Sequence, residues 1–250
     1  MCEFMGGRVD YQRCDVCGFV VSRTHAEMSD KVWAELNFQF HHQHEKSGLE
    51  SDINQPPYIE QALMLALLGE NRLINLDSMI DFAAGYGSLS QMLSKYFRIE
   101  LPVYDPYVVS GDSGVKYLKS SELGRYETVI NSAMFEHVRS RDDLNRVHNL
   151  VSDDGCMIIH TLVCERVPND SEWFYLRPPV HSAFHTNKSM EILMEQWGFK
   201  SSIYSPKSKC WVLFREEVEA LQNRISAINS ELQQPWFYCK KGFVDYWKGF

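Results

Sequence analysis

Hydrophobic and polar positions change period several times along the chain, which predicts alternating helices and strands. A helix is predicted over Tyr58–Gly69, followed by a short apolar strand, Ser78–Phe82, and by a second helix, Ser88–Phe97. Further apolar runs of strand length alternate with stretches of helical spacing. The runs are residues 101–104, 128–131, 156–161 and 211–214, and the helical stretches are residues 140–150 and 187–197. This alternation predicts an α/β fold in which helices cover both faces of a mostly parallel sheet.

The segments on either side of this region have other patterns. Residues 11–21 predict a small hairpin, and the polar run 41–57 ends in two prolines, which is typical of a linker. Apolar residues three or four apart predict an amphipathic helix over 216–234, and an aromatic tail follows it. The chain is therefore predicted to have an N-terminal module at 1–45, a main domain at 58–215, and a C-terminal helix and tail at 216–250. We expect the tail to pack on this chain's core or on a second copy in a homodimer, because it is too apolar to remain in water.

Composition and charge narrow the classes of function. Of the 250 residues, 44% are hydrophobic and 23% are charged, which is sufficient for a folded core, and the net charge of -8 disfavours nucleic acid as a partner. No apolar run approaches the ~18 residues of a membrane span, and the N-terminus lacks the apolar core of a signal peptide. We therefore expect a cytoplasmic protein that does not associate with membranes. The seven cysteines are odd in number, which favours reduced thiols over a disulfide framework.

A glycine-bearing turn between the first predicted strand and the next helix indicates a ligand site. Gly85 and Gly87 allow the backbone to approach a ligand closely, and the following helix directs free N–H groups at an anion. Asp105 closes the second strand, where a carboxylate can accept both hydroxyls of an adenosine ribose. Residues 85–90 come within one residue of the dinucleotide motif G-x-G-x-x-G/A, which leaves an oxidoreductase open. Asp81 favours a ligand with a cationic group, such as a sulfonium amino acid, over a pyrophosphate.

Several short motifs follow one another between Leu76 and Phe214. They are Asp81-Phe-Ala-Ala-Gly-Tyr-Gly87, the Asp105-Pro106 pair, the segment 126–138 that ends in Glu-His-Val, the turn and apolar run 150–159, and His181-Ser-Ala-Phe-His-Thr186. In this order they resemble the class I S-adenosylmethionine-dependent methyltransferases. The first motif of that family is acidic-x-Gly-x-Gly-x-Gly, and this chain has Ala83 in place of the first glycine.

The resemblance implies a doubly wound, Rossmann-like sheet of seven strands and S-adenosylmethionine as the cofactor. The residues implied to bind or border the cofactor are Asp81, Ala83, Gly85, Gly87, Asp105, Pro106, Ser120, Asn131, Ser132 and Glu136. Between Asp105 and Tyr126 there is little room for the family's usual helix and third strand, and no clear acidic residue matches the one that often contacts the adenine. Residues 115–118 predict a short third strand, and residues 117–120 would border the base.

Methyl transfer to a weak nucleophile needs a base of near-neutral pKa, and histidines follow three predicted strands on the ligand side. They are His137, His181 and His185. A structural role is as good an interpretation of His181 as catalysis. His185 stands where the family usually has an aromatic residue, so it is either specific for the acceptor or a plain surface substitution. A divalent metal on Glu136, His137 and His181 is less favoured, because the second carboxylate of metal-dependent relatives is not evident.

The segment 164–180 is long, polar and aromatic, as lids over acceptors commonly are. Its Trp173, Tyr175 and Arg177 can stack on a sugar and clamp an anion, or the rings can simply fix the loop to the core. We expect O-methylation of a small-molecule acceptor, a sugar or phosphoryl-bearing building block of a surface polysaccharide, such as a capsule, or of a secondary metabolite. An NAD(P)-dependent oxidoreductase and a non-catalytic cofactor-binding scaffold are the alternatives.

Cys14 and Cys17 have the spacing of a zinc knuckle, and a glycine follows them. A structural zinc ion needs two more ligands. The other residues that can supply them are Cys2, His25, His41, His42 and His44. We favour a hairpin with free thiols, and bound zinc is the alternative.

Overall fold

Strands and helices alternate along the chain in the computed structural model, which describes residues 7–44, 55–108 and 114–245, and the backbone alone for residues 41–44. The strands are β1 (Tyr11–Arg13), β2 (Val20–Ser22), β3 (Met79–Phe82), β4 (Val103–Tyr104), β5 (Tyr126–Ser132), β6 (Val151–His160), β7 (Val163–Cys164), β8 (Ala183–Thr186), β9 (Ser201–Ser205), β10 (Cys210–Phe214) and β11 (Tyr238–Lys241). The helices are α1 (Arg23–Ala26), α2 (Asp30–His44), α3 (Tyr58–Glu70), α4 (Ser88–Phe97), α5 (Arg141–His148), α6 (Asn187–Gln196) and α7 (Val218–Glu231). Within these described ranges, no helix combines the length and the hydropathy that a bilayer crossing requires.

The main sheet has seven strands in the order β11-β9-β10-β6-β5-β3-β4. β4, β3, β5 and β6 pair in parallel, and β10 is antiparallel to both β6 and β9. β9 therefore runs in the same direction as the parallel strands, and only β10 and β11 of this sheet run against it. The predicted α/β fold with a mostly parallel seven-stranded sheet is confirmed.

Helices cover both faces of the main sheet because successive side chains of each strand point to opposite sides. On one face, Ile158 of β6 packs in a cluster with Leu65 of α3 and Ile225 of α7. On the other face, Ile80 of β3 packs in a cluster with Val147 of α5. The two clusters make the sheet doubly wound, with its ligand-binding edge at the carboxyl ends of the parallel strands.

The edge strands differ from the expectation at two places. The predicted third strand at 115–118 is reduced to one bridge, between Val103 and Tyr117. The seventh strand is instead β11, in the aromatic tail, where Trp236, Phe237 and Phe243 are buried. The tail therefore packs on the core of its own chain, which is the first of the two alternatives considered for it.

The N-terminal hairpin forms part of a second sheet, in the order β1-β2-β8-β7. β2 is antiparallel to β8, so the hairpin lies beside the segment that follows β6. Trp33, Leu36 and Phe40 of α2 are buried together with Val180. The linker predicted from residue 41 begins later than expected, because α2 continues to His44. The division of the chain at residue 45 stays a prediction.

Candidate active site

The glycine turn lies at the carboxyl end of β3 and leads into α4. The backbone is left-handed at three of its residues, with φ of +60° at Ala83, +55° at Gly85 and +74° at Gly87. An L residue adopts this conformation at a cost, which explains why the family motif has glycine where this chain has Ala83. A Cβ on Gly87 would lie 2.8 Å from Val115 Cγ1. Gly87 is thus required by packing within the chain, and not only by the approach of a ligand.

Asp105 follows β4, and its half-buried carboxylate supports the turn. Its Oδ2 accepts a hydrogen bond from Gly85 N at 2.8 Å, and its Oδ1 accepts from Tyr107 N at 2.7 Å and from Val108 N at 2.8 Å. A carboxylate has about four lone-pair sites, and the backbone of the turn and of the segment after β4 occupies three of those on Asp105. Of the other predicted cofactor contacts in this region, Pro106 and Ser120 are exposed.

Behind the turn, two buried polar atoms lack hydrogen-bond partners. They are Asp81 Oδ1 and Gln61 Nε2, in side chains whose residues are 2% and 1% exposed. Both residues influence the pKa of the Cys210 thiol, so the two lie close together. Burial, and after it the charge of Asp105, raises the pKa of Asp81 well above its ordinary value. An α-amino acid, which carries an ammonium and a carboxylate group, would supply partners for both atoms.

Gln61 was missed by the sequence analysis. It lies in α3, and its Oε1 accepts a hydrogen bond from Ser132 Oγ at 3.0 Å. The only signal in the sequence is a glutamine at the start of the apolar run of a mostly apolar helix. Asn131, which precedes Ser132 on β5, faces the opposite side of the sheet and donates to Ile158 O at 3.1 Å. The structure therefore brings Ser132 together with Gln61 and leaves Asn131 on the other face.

A second polar cluster lies beyond β5. Glu136 Oε1 accepts a hydrogen bond from Tyr175 OH at 2.8 Å, and Glu136 Oε2 accepts one from Thr161 Oγ1 at 2.8 Å. His181 Nδ1 lies 2.7 Å from Tyr175 O, and it carries the proton because a carbonyl oxygen can only accept. The ring centroids of His137 and His181 are 5.2 Å apart. One ligand atom from each of Glu136, His137 and His181 lies within 4.8 Å of the other two.

This cluster is short of positive charge. Burial raises the pKa of the Glu136 carboxyl, although the hydrogen bonds that it accepts lower it. Burial and the charge of Glu136 raise the pKa of the Tyr175 phenol well above its ordinary value, so this phenol stays neutral and donates to Glu136. In the described ranges, Glu136 forms no ion pair with a lysine or an arginine.

The segment 164–180, predicted either to form a lid over the acceptor or to be fixed to the core by its rings, has features of both. The rings of Trp173 and Tyr175 pack against Phe184 of β8, with centroids 5.2 Å and 6.0 Å away, which fixes the segment to the small sheet. Tyr175 nevertheless reaches Glu136 with its hydroxyl, while Arg177 is exposed. The structure thus joins Tyr175 to the cluster and leaves Arg177 at the surface.

His185 lies on β8 and is 1% exposed. Its ring packs between those of Phe19 and Phe135, with centroids 4.9 Å and 5.4 Å away. Its Nε2 donates to Phe135 O at 3.1 Å, its Nδ1 is buried without a partner, and burial lowers its pKa to about 4. It is therefore not the surface substitution considered above. This enclosure does not suit a base that exchanges a proton with an acceptor, so we do not keep His185 among the catalytic residues.

Cys14 and Cys17 lie in the hairpin and are both free thiols. The backbone N–H of Cys17 is the main cause that lowers the pKa of Cys14. His25 does not suit a zinc site, since its two ring nitrogens already hydrogen-bond to Ser22 and Pro179. Among the described side chains, no third metal ligand joins the two thiols. Cys2 and the side chains of His41, His42 and His44 lie outside the described residues, and bound zinc stays a prediction.

A doubly wound sheet with a ligand site at the carboxyl ends of its parallel strands defines the chain as an α/β cofactor-binding protein. A family model narrows that class, because the model of a methyltransferase domain matches residues 52–201. This match spans more than half of the chain, and the chain belongs to the methyltransferase-domain family. The methyltransferase resemblance of its motifs is thereby confirmed, and S-adenosylmethionine is the methyl donor that this membership implies.

Other comparisons add less. No curated protein matches the chain. The structure is similar to that of the plantazolicin methyltransferase BpumL in complex with a monoazolic desmethylPZN analog and SAH, at 10% identity and a TM-score of 0.46 over 73% of this chain and 90% of that one. A SAM-dependent methyltransferase from Anabaena variabilis ATCC 29413 matches at 17% identity and a TM-score of 0.47, over 73% and 95% of the two chains. One from Archaeoglobus fulgidus matches at 17% identity and a TM-score of 0.38, over 57% and 71%.

Proposed function

We propose that this protein is an S-adenosylmethionine-dependent O-methyltransferase that acts on a small polar acceptor. The observation that carries the proposal is the position of the Glu136, His137 and His181 cluster beyond the end of β5, the strand next to the one that ends in the glycine turn. Two sites of different chemistry thus share one edge of the sheet. The first suits a cofactor with an amino-acid group, and the second suits an oxygen that loses a proton.

The residues around the glycine turn fit the cofactor. Asp81 Oδ1 would accept from the ammonium group of its methionine part, and Gln61 Nε2 would donate to the carboxylate. Asp105 Oδ2 would accept from a ribose hydroxyl while it continues to hold Gly85 N. A bound cation would offset the burial that raises the pKa of Asp81. Two carboxylates at this turn also disfavour a pyrophosphate, which supports a methyltransferase over an NAD(P)-dependent oxidoreductase.

The bound cofactor supplies a methyl group on a positively charged sulfur. As this group moves to the acceptor, an O–H bond of the acceptor breaks, an O–C bond forms, and the S–C bond breaks with its electron pair going to sulfur. The chain has to align the acceptor oxygen, remove its proton and exclude water. Glu136, His137 and His181 would hold this oxygen and assist the loss of its proton. Tyr175 would close the site on the side of the lid.

The lid supports the acceptor class that the sequence predicts, a sugar or a phosphoryl-bearing building block of a surface polysaccharide or of a secondary metabolite. Arg177 is exposed and can pair with an anionic group, because its guanidinium offers two parallel N–H donors. Trp173 is half-buried and offers part of its ring for stacking on a sugar. Both residues come from the segment that also delivers Tyr175 to Glu136.

Calorimetric titration of the purified protein with S-adenosylhomocysteine, NADH and NADPH tests the cofactor. We expect the thioether alone to bind, and Asp81→Asn to weaken its binding at least about tenfold, or about 1.4 kcal/mol. Asp77→Asn, which changes an exposed carboxylate five residues from β3's end, is the matched control and should bind normally. Binding of a dinucleotide alone would overturn the proposal.

A screen for S-adenosylhomocysteine release over sugars and phosphorylated sugars then tests the acceptor. Turnover on a hydroxyl compound that falls in His181→Gln, with normal cofactor affinity, is the expected result. A protein that binds the thioether but methylates no hydroxyl compound would be a scaffold or would act on another atom.

A further inference from the structure

We propose that Glu136, His137 and His181 form a binding site for a divalent metal ion, and that this ion holds two oxygen atoms of the acceptor. The part that concerns the acceptor rests on the proposed function. The binding of the metal itself rests on the three side chains alone. In this arrangement the two histidines are metal ligands, and they do not act as bases.

The three residues come from two parts of the chain that the fold holds together. Glu136 and His137 lie in the turn after β5, and His181 lies two residues before β8. The backbone joins these parts, since Ser182 N donates to Glu136 O at 2.8 Å. The ligand atoms of the three side chains already lie within 4.8 Å of one another. Metal–ligand bonds of about 2.0–2.2 Å bring such atoms to about 3–3.5 Å, which small side-chain rotations would achieve.

Hydrogen bonds around the cluster orient these ligands as they are oriented in metal sites. A histidine that binds a metal generally donates its other N–H to a carbonyl or a carboxylate. His181 does so, because its Nδ1 donates to Tyr175 O at 2.7 Å, and in this tautomer Nε2 is the nitrogen that would coordinate the ion. The carboxylate of Glu136 is held by the hydroxyls of Thr161 and Tyr175. Each carboxylate oxygen retains a lone pair for a metal ion.

Charge is the second argument. Glu136 is 3% exposed, and in the part of the chain that the structure describes it has no lysine or arginine as an ion-pair partner. Among the described side chains, the hydroxyls of Tyr175 and Thr161 bond to its carboxylate, and ligand atoms of His137 and His181 lie within 4.8 Å of it. Burying a carboxylate without a cation costs several kcal/mol, and hydroxyl donors offset only part of that cost. A divalent cation would supply the charge that this site lacks.

Three protein ligands leave coordination positions open, as catalytic metal sites do. Two neighbouring oxygens of the acceptor would fill them, which favours a vicinal diol or a hydroxyl beside a carbonyl or phosphoryl oxygen. A metal ion lowers the pKa of a bound hydroxyl, so the proton would pass to water as the new O–C bond forms. Two imidazoles and one carboxylate favour zinc, manganese, iron or cobalt over calcium.

Titration with Mn²⁺, followed by the electron paramagnetic resonance signal of the free ion, tests the site without cofactor or acceptor. Manganese is chosen because thiolates such as Cys14 and Cys17 compete for zinc. We expect one saturable site, with affinity reduced at least about tenfold in both Glu136→Gln and His137→Asn. His185→Phe, which removes a histidine outside the cluster, and the double variant Cys14→Ser/Cys17→Ser should bind Mn²⁺ normally. Binding of S-adenosylhomocysteine shows that each variant is folded.

Absence of saturable Mn²⁺ binding, or its retention in both cluster variants, would overturn the metal site. Mn²⁺ binding in a protein without affinity for S-adenosylhomocysteine would leave the metal site standing while the proposed function fails. Methylation of an acceptor at an unchanged rate in excess EDTA would overturn the role of the ion in holding the acceptor, and would assign the proton transfer to the histidines directly.

Discussion

Replacement of His185 by phenylalanine is expected to make the protein more resistant to acid unfolding. Burial between Phe19 and Phe135 lowers the pKa of His185 to about 4, whereas an exposed histidine in the unfolded chain has its ordinary value of 6.5. The unfolded chain therefore binds a proton that the folded protein does not bind. The stability that the protein gains from keeping His185 neutral is complete above pH about 6.5. It is lost as the pH falls toward about 4, because the unfolded chain is then stabilised by binding the proton.

The difference between the two pKa values corresponds to about 3 kcal/mol, of which about 2 kcal/mol is lost by pH about 5. Phenylalanine does not titrate, so the His185→Phe variant lacks this loss. The new ring retains the packing on the two neighbouring phenylalanines. It gives up the hydrogen bond to Phe135 O, worth about 1 kcal/mol, and also removes the buried Nδ1 that has no partner. We therefore expect nearly equal stability of the two proteins at neutral pH.

Urea unfolding followed by tryptophan fluorescence, at neutral pH and near pH 5, measures these free energies. The wild type should lose about 2 kcal/mol more than His185→Phe between the two conditions. His148→Phe is the matched control, and its effect should be smaller because His148 is half-buried and stacks on Trp197. Equal acid sensitivity of wild type and His185→Phe would refute the assignment of a buried neutral histidine. Loss of methyl transfer in His185→Phe with normal cofactor affinity would refute its exclusion from catalysis.

Three further predictions concern the cofactor side. Ala83→Gly should raise the free energy of unfolding by about 1 kcal/mol, because it relieves a left-handed φ, whereas Ala84→Gly should lower it; the opposite order in urea titrations would contradict this. Asp105→Ala should weaken S-adenosylhomocysteine binding by about 1–3 kcal/mol in calorimetry, and unchanged affinity would remove Asp105 from the site. Gln61→Leu should weaken the same binding about tenfold and change the Tm of the ligand-free protein little, because removal of the buried, unpartnered Nε2 offsets the lost hydrogen bond from Ser132 Oγ. A large fall in Tm with normal binding would indicate a structural role instead.

Much of the fold followed from local patterns. The helix over residues 88–97 has the predicted bounds, and β3, β5, β6 and β10 overlap the predicted strands. These elements are long enough, or apolar enough, for their period to be read directly. The local pattern did not predict β11, and it predicted a strand at 115–118 where the structure has only the bridge at Tyr117. A short edge strand carries few residues, and what makes it a strand is the neighbour with which it pairs.

In the candidate site, too, local sequence features indicated some residues, and only the structure showed the surroundings of the others. Asp81, Gly85, Gly87 and Asp105 could be proposed as site residues because one turn and two strand ends lie close together in the sequence. Gln61 was missed, since a single glutamine in a mostly apolar helix has no period or motif that reveals its partners. His185 was assigned to catalysis because its position in the chain does not tell how deeply Phe19 and Phe135 enclose it.

The sequence by itself determined the α/β alternation, the glycine turn with its acidic partners, and the residue types available for chemistry. It did so because helical period, strand period and turn conformation depend on neighbours within a few positions. Only the tertiary structure decided that Glu136 meets Thr161 and Tyr175, which lie 25 and 39 residues away in the chain. It also decided that β2 of the hairpin pairs with β8 beside the site. Such contacts depend on how all the elements pack at once, because each buried polar group has to find its partner in the shared interior.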